Sequence, residues 1–128
     1  MTNEFSARSQ QNRTSLVFAD LASLAESANG LAWQPFHPGV EIHWLYRDGN
    51  HGPSAALIRF QPGAAVPMHE HRGYEHIYVL RGSQSDGGGP LSAGSLMVHP
   101  PGTSHRIVSD EGCLVLAIYE KPAHFPPA

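Results

Sequence analysis

The segment Gly63-Ala-Ala-Val-Pro-Met-His69-Glu-His71-Arg-Gly-Tyr-Glu75-His-Ile-Tyr-Val-Leu-Arg-Gly82 decides the fold and carries the first chemistry of this chain. Its second half is rich in β-branched and aromatic residues, which predicts a strand. Histidines two positions apart on a strand point to the same face, with Cα atoms about 6–7 Å apart. Two imidazoles at that spacing can converge on one metal ion, and Glu75, delivered just after a turn, can close the site.

Short apolar runs separated by glycine and proline flank this segment on both sides. The chain has 13 Gly and 11 Pro among 128 residues, which is typical of turn-rich antiparallel β proteins. Period-2 alternation and β-rich composition predict strands; they cover residues 40–47, 55–60, 66–71, 75–80, 95–99, 104–108 and 113–119. In the strand over residues 40–47, one face is expected to hold Val40, Ile42, Trp44 and Tyr46. The segment 83–93, with its Gly87-Gly88-Gly89 run, is expected to be a flexible connector.

A short helix is expected ahead of the strands. Asp20 can cap a helix over Leu21–Ala28, and Asn29-Gly30 can supply a left-handed stop. Its apolar face should cover a sheet. The predicted fold is therefore an all-β jelly-roll barrel with one short N-terminal helix. We expect one domain over residues 15–120, a flexible tail over 1–14 and a Pro-rich tail over 121–128.

Charge and composition narrow the possible partners. The formal net charge of −3 offers no basic surface, so a nucleic-acid partner is not expected. No apolar run reaches the roughly 18 residues of a transmembrane helix, and the N-terminus lacks the apolar core of a signal peptide. We therefore expect no membrane partner and a cytoplasmic location. Cys113 is the single cysteine, so no intrachain disulfide can form, and its apolar surroundings predict a buried thiol.

A second motif, Gly94-Ser-Leu-Met-Val-His99-Pro100-Pro-Gly102-Thr-Ser-His105, follows the first. In order and spacing the two segments resemble the paired signature of the cupin superfamily, the RmlC-like jelly rolls. Ser109 is the one departure, because many cupins carry Asn there. Further segments resemble the ChrR-type cupins, among them Trp33-Gln-Pro-Phe36, Phe60-Gln-Pro-Gly63 and Glu111-Gly112-Cys113.

The resemblance implies a ligand set and a double-stranded β-helix. It implies that His69, His71, Glu75 and His105 bind a divalent transition metal. Three imidazoles and one carboxylate suit Fe, Zn, Ni, Mn, Co or Cu, with Fe or Zn favoured. The anti-sigma members of this group carry a separate zinc-binding helical domain ahead of the cupin. Because few residues precede the predicted barrel here, we expect a stand-alone cupin without that domain, forming a homodimer.

Two function classes remain open from the sequence. The first is a non-haem, Fe(II)-dependent dioxygenase-type enzyme that acts on a small dicarbonyl or hydroxyketone, as the resemblance to small diketone-cleaving dioxygenases implies. The second is a non-catalytic module that binds zinc or senses a small ligand, related to the cupin domains of anti-sigma factors. A purely structural cupin with an empty site is the least favoured alternative. No catalytic side chain can be assigned, and either main class implies a small-molecule ligand.

Neighbouring residues are expected to line the site or to face away from it. Strand alternation places Ile77 and Val79 inside with Glu75, and Ile107 is expected to join them in an apolar wall. Alternation turns the other side chains outward, namely Met68, Glu70, His76, Tyr78 and Leu80. Arg59 is expected either to pair with an acid or to bind a substrate anion. The remaining three, Trp44, Tyr46 and His99, are expected to have structural roles.

Overall fold

The computed structural model describes residues 14–27 and 30–127. These ranges hold one helix, α1 (Leu21–Glu26), followed by strands β1 (Gln34–His37), β2 (Val40–Arg47), β3 (Ser54–Phe60), β4 (Ala64–Glu70), β5 (Glu75–Gln84), β6 (Leu91–Ser92), β7 (Leu96–His99), β8 (Ser104–Ser109) and β9 (Cys113–Tyr119). None of the helical segments here has the length and hydropathy that crossing a membrane requires. The predicted tail over residues 1–14 lies almost entirely outside the described ranges.

The strands form two antiparallel sheets. The larger has the order β1-β2-β3-β9-β5-β6, with β7 also paired to β5, and the smaller consists of β4 and β8. Apolar side chains from both sheets meet in one core, where Val66 and Ile107 of the small sheet pack with Ile58, Ile77 and Val115 of the large one. The all-β jelly-roll architecture predicted from the sequence is confirmed.

Helix α1 covers the outer face of the large sheet. The Asp20 carboxylate accepts hydrogen bonds from the backbone N–H (3.2 Å) and hydroxyl (2.9 Å) of Ser23, which satisfies donors that the first turn leaves unpaired. Ala22 and Ala25 pack against Leu57 and Leu114 of the sheet. The helix ends at Glu26, two residues before the predicted end; Ala28 and Asn29 lie outside the described residues.

All seven predicted strands are present, with two additions and one extension. The additions are the short strands β1 and β6, which the sequence patterns did not predict because β1 contains a proline and β6 spans two residues. Strand β5 continues to Gln84, so the predicted connector over residues 83–93 begins too early. Gly82 permits this extension, because it adopts φ of 71° and a Cβ there would collide with the carbonyl oxygen of Gly112.

A β-bulge in β2 overturns the predicted face of Tyr46. Trp44 pairs with Ala56, but Tyr46 pairs with Ala55, so Leu45 is an extra residue without a partner on β3. The extra residue shifts the alternation by one position. Tyr46 consequently leaves the face that holds Val40, Ile42 and Trp44, and Arg47 takes its place.

Candidate metal centre

Four buried side chains converge where the two sheets meet. His69 lies near the end of β4 and pairs in register with His105 of β8, His71 follows β4, and Glu75 begins β5. Each is at most 8% exposed, and one candidate ligand atom from each lies within 4.8 Å of every other. The structure thus brings together all four residues implied by the resemblance.

The distances between ligand atoms match those around a single ion. Two ligands about 2.1 Å from a metal lie about 3.0 Å apart at a right angle, and about 4.2 Å apart on opposite sides. The Nε2 atoms of His69 and His105 are 3.0 Å apart. Glu75 Oε1 lies 2.9 Å from His71 Nε2 and 3.9 Å from His105 Nε2.

One of these short contacts is not a hydrogen bond. His71 Nε2 and Glu75 Oε1 are buried and have no hydrogen-bond partner, although 2.9 Å separates them. Buried polar atoms are nearly always paired, so an unpaired nitrogen and oxygen side by side require an explanation. A cation between them would satisfy both lone pairs, and this donor set therefore fits a divalent metal.

The far nitrogens of two histidines are fixed by the surrounding chain. His69 Nδ1 lies 2.8 Å from the carbonyl oxygen of Pro67, so it must donate there. His71 Nδ1 lies 2.9 Å from Thr103 Oγ1, whose own proton goes to the carbonyl oxygen of Pro100. Thr103 therefore accepts from His71. Both contacts place the proton on Nδ1 and leave the Nε2 lone pair for a metal.

Glu75 and His105 have different surroundings. The Tyr119 hydroxyl donates to the Glu75 carboxylate, and the two residues are direct partners across β5 and β9. His105 Nδ1 is buried without a hydrogen-bond partner, and the nearest carboxylate oxygen recorded, Asp86 Oδ2, is 3.7 Å away. The residues that brace the ligands, Pro67, Thr103 and Tyr119, were missed by sequence reasoning, because only the folded chain brings them to the imidazoles and carboxylate.

Burial lowers the pKa of two of the candidate ligands, His69 and His105. Loss of hydration lowers the pKa of His69, against an opposing effect from its hydrogen bond to Pro67. Burial, followed by the neighbouring histidines, lowers the pKa of His105 to about 4. Burial also raises the pKa of Tyr119 well above its ordinary value, and the adjacent Glu75 carboxylate reinforces the shift. Neutral imidazoles are the form that binds metals, so the lowered pKa values of His69 and His105 favour cation binding there.

His99 lies behind the cluster and outside the four-residue group. Its ring stacks on that of His71, with centroids 4.6 Å apart and an interplanar angle of 9°, and it meets the ring of His105 edge-on at 4.3 Å. His99 packs against two of the candidate ligands, in agreement with its predicted structural role.

A cavity of about 190 Å³ adjoins the cluster and is mostly apolar. Three of the candidate ligands, His69, Glu75 and His105, border it, whereas His71 does not. Of the predicted apolar wall, Ile77 and Ile107 line the cavity; Val79 is fully buried in the core instead.

The C-terminal segment forms part of the cavity wall. His124 pairs with Glu70 through two backbone hydrogen bonds of 2.8 and 2.9 Å, and the ring of Phe125 lies 4.9 Å from that of His69. Pro122 and Ala123 also line the cavity. The sequence analysis did not predict that this segment lines the cavity. The one hint in the sequence was Phe125, a large apolar side chain among prolines.

The other residues that the sequence analysis named lie outside the four-residue cluster. Arg59 pairs with Glu41 at 2.7 Å, which supports the structural alternative. Met68 is 52% exposed, and Glu70 pairs with Arg72. Cys113 is buried as expected, and burial raises the pKa of its thiol to about 11. Trp44 packs against the core as predicted, but it also lines the cavity.

Comparison with known sequences gives a family match over most of the chain. The sequence model of the ChrR cupin-like domain matches residues 23–122. The anti-sigma-E factor ChrR of Cereibacter sphaeroides is 32% identical over 95 residues, which is 73% of this chain and 44% of that protein. The chain therefore spans less than half the length of this curated relative.

Solved structures share the fold at lower identity. An acetylacetone dioxygenase from Acinetobacter johnsonii superposes with a TM-score of 0.72 at 16% identity, covering 91% of this chain and 82% of that one. ChrR of Rhodobacter sphaeroides, solved with SigE, gives 0.66 at 22% identity, covering 88% and 73%. At these identities the likeness concerns the fold alone.

Proposed function

The chain belongs to the ChrR cupin-like domain family, and from that premise we propose that it is a metal-dependent, oxygenase-type enzyme acting on a small dicarbonyl or hydroxyketone. One observation carries the proposal: the candidate ligands His69, Glu75 and His105 line an apolar cavity. An ion held by them would face that cavity. Catalytic metal sites keep such an open position, whereas structural ones are closed by protein ligands.

The chain's own residues would hold, orient and shield the reacting groups. Thr103 and the Pro67 carbonyl fix the orientation of His71 and His69, and Tyr119 fixes the Glu75 carboxylate. The side chains of Ile77 and Ile107 exclude water from the substrate. A bound divalent metal, Fe(II) in this proposal, would supply Lewis-acid chemistry towards a carbonyl or enolate oxygen.

The size and lining of the cavity support a small substrate. Its volume of about 190 Å³ is below the roughly 300–1,000 Å³ of drug-sized ligand sites. The fold is also that of an acetylacetone dioxygenase, which is an analogy at the level of fold and leaves the chemistry to be tested on this chain.

A second candidate is a non-catalytic module that binds zinc or a small ligand. The 32% identity with an anti-sigma factor favours it. The four-ligand cluster is compatible with zinc as well as with iron, so the two candidates differ in native metal and in reactivity with O₂. The predicted homodimer and cytoplasmic location stay predictions under either candidate.

The decisive experiment measures metal content and oxygen consumption together. Protein from native cells is analysed for metals, then loaded with Fe(II) and offered 2,4-pentanedione and a hydroxyketone panel in an oxygen electrode. We expect substrate-dependent O₂ uptake that His69→Ala abolishes. His76→Ala is the matched control, because His76 neighbours Glu75 on the opposite face of β5. Native zinc and no O₂ uptake by iron-loaded protein would favour the non-catalytic module.

A further inference from the structure

We propose that Asp86 is a positioning residue of the metal centre, which accepts the Nδ1 proton of His105 and thereby holds His105 Nε2 towards the ion. The inference rests on the proposed function, because it concerns a ligand of the same metal centre. Its premises are a buried nitrogen without a partner, the carboxylate nearest to that nitrogen, and the strand pairing that keeps this carboxylate in place.

His105 differs from the other two histidines of the cluster in its far nitrogen. The Nδ1 atoms of His69 and His71 donate to oxygen atoms of the chain, whereas His105 Nδ1 is buried without a hydrogen-bond partner among the described residues. A metal bound at Nε2 requires that the proton of the ring lies on Nδ1. Because buried N–H groups are nearly always paired, His105 Nδ1 needs an acceptor.

Two carboxylates lie near His105, on opposite sides of its ring. Glu75 Oε1 is 3.9 Å from Nε2, on the side of the cluster, and Asp86 Oδ2 is 3.7 Å from Nδ1. Glu75 and His105 line the cavity, whereas Asp86 does not. Asp86 therefore stands behind the imidazole, which is the position of a group that orients a metal ligand without touching the substrate.

The backbone beside Asp86 is fixed on the strand that carries His105. Ser85 and Val108 of β8 exchange two backbone hydrogen bonds of 2.8 and 2.9 Å. In antiparallel pairing the residue after Ser85 comes opposite Ile107, whose side chain shares a strand face with that of His105. Diagonal neighbours on one face are within reach of long side chains. The pairing thus keeps the Asp86 carboxylate close to Nδ1.

The Asp86 side chain can close the gap that the distance leaves. A charge-assisted N–H···O bond is about 2.9 Å long, so Oδ2 is about 0.8 Å too far from Nδ1. The side chain is 35% exposed and has room to change its rotamer. It is followed by the run Gly87-Gly88-Gly89, which lacks Cβ atoms and restricts the backbone little. The carboxylate can therefore approach when an ion fixes the imidazole.

The charge of Asp86 also suits a divalent ion. A carboxylate that accepts from the far nitrogen of a metal-binding histidine raises the basicity of the ligating nitrogen. Glu75 is the carboxylate within the cluster, and Asp86 supplies a second negative charge behind it. Two carboxylates balance the charge of a divalent ion at a buried site, where electrostatic attraction is screened less than in water.

The first test measures zinc affinity by competition with a chromophoric chelator. Loss of a group that orients a metal ligand typically costs 10–100-fold in affinity, so Asp86→Ala should bind zinc at least about tenfold more weakly than wild type. Asp86→Asn keeps an acceptor oxygen but loses the charge, and its affinity should fall between those of wild type and the alanine variant.

Nitrogen-15 NMR of the zinc-loaded protein separates positioning from general stability. In wild type, His105 Nδ1 should carry a proton with a downfield resonance, as expected for an N–H that donates to a carboxylate; its absence in His105→Asn assigns it. In Asp86→Asn this resonance should move upfield. The resonance of His71 Nδ1, which is held by Thr103, should not change.

The control is Asp110→Ala, which also removes one negative charge. Asp110 is exposed in the turn after β8 and lies outside the cluster, so zinc affinity should stay within about twofold of wild type. Wild-type affinity in Asp86→Ala, an equal loss in Asp110→Ala, or an unchanged His105 resonance in Asp86→Asn overturns the inference. If Asp86→Ala does not fold, the resonance in Asp86→Asn decides.

Zinc binding by wild-type protein is measured first, by equilibrium dialysis. If no zinc binds, the metal centre and the proposed function fail together with the inference. Zinc binding that does not depend on Asp86 overturns the inference alone.

Discussion

Two β-bulges aim side chains into opposite ends of the same cavity. In β4 the register shifts between Val66 and His69, so both face inward while Met68 is exposed. In β2 the shift falls between Trp44 and Tyr46 and turns Arg47 inward. We call these the metal end and the hairpin end. The two ends differ in burial: the four candidate ligands at the metal end are at most 8% exposed, whereas Arg47 at the hairpin end is exposed beside a loop.

The largest effect on zinc affinity is expected from a substitution at the metal end itself. Glu75→Gln keeps the shape of the side chain but removes the charge that an ion needs, next to a Tyr119 donor that stays in place. Affinity for zinc should fall by more than about 100-fold, beyond the range expected for residues that only support a ligand. Competition with a chromophoric chelator measures it; near wild-type affinity would show that Glu75 is not a ligand.

The contrast between the metal end and the hairpin end also explains which parts of the site the sequence predicts. Spacing within the first motif predicted that His69, His71 and Glu75 lie together, because side chains two apart on a strand, or just across a turn, stay neighbours in the fold. His105 joined this candidate set only through the resemblance to the paired cupin motifs. The two bulges leave no such signature: Leu45 continues the apolar run of β2, and alternation alone points Arg47 outward. Phe125 reaches His69 only through tertiary packing, which no local pattern encodes.

A smaller effect is expected from the bracing of the metal end. Thr103→Val removes the oxygen that accepts the Nδ1 proton of His71, so the ring can rotate or change tautomer. Zinc affinity should fall about 10–100-fold, while Thr103→Ser, which keeps the hydroxyl, should stay close to wild type. If the valine and serine variants bind zinc equally well, the hydrogen bond to Thr103 does not position His71 for a metal.

Acid should weaken the metal-free fold through the same end. The pKa values of His69 and His105 are lowered in the folded protein, that of His105 to about 4. The unfolded chain therefore binds more protons between pH 6.5 and about 4, and stability is lost as pH falls through that window. Metal-free protein should melt about 5 °C lower or more at pH 4.5 than at pH 7. His105→Asn should reduce this dependence, and an unchanged slope would contradict the assignment.

The smallest effect is expected from Asn50, a loop residue at the hairpin end. Asn50→Ala should change zinc affinity by less than about twofold and stability by less than about 0.5 kcal/mol, because exposed loop substitutions away from special features are usually neutral. A double-mutant cycle that combines Asn50→Ala with Thr103→Val tests whether the two ends are independent. Sites more than about 7–10 Å apart with no shared partner are normally additive, so the double variant should bind zinc as the single effects predict. A tenfold coupling in zinc affinity would mean that the hairpin loop helps to organise the candidate metal ligands. The two ends would then form one site, in which the exposed half sets the geometry of the buried half.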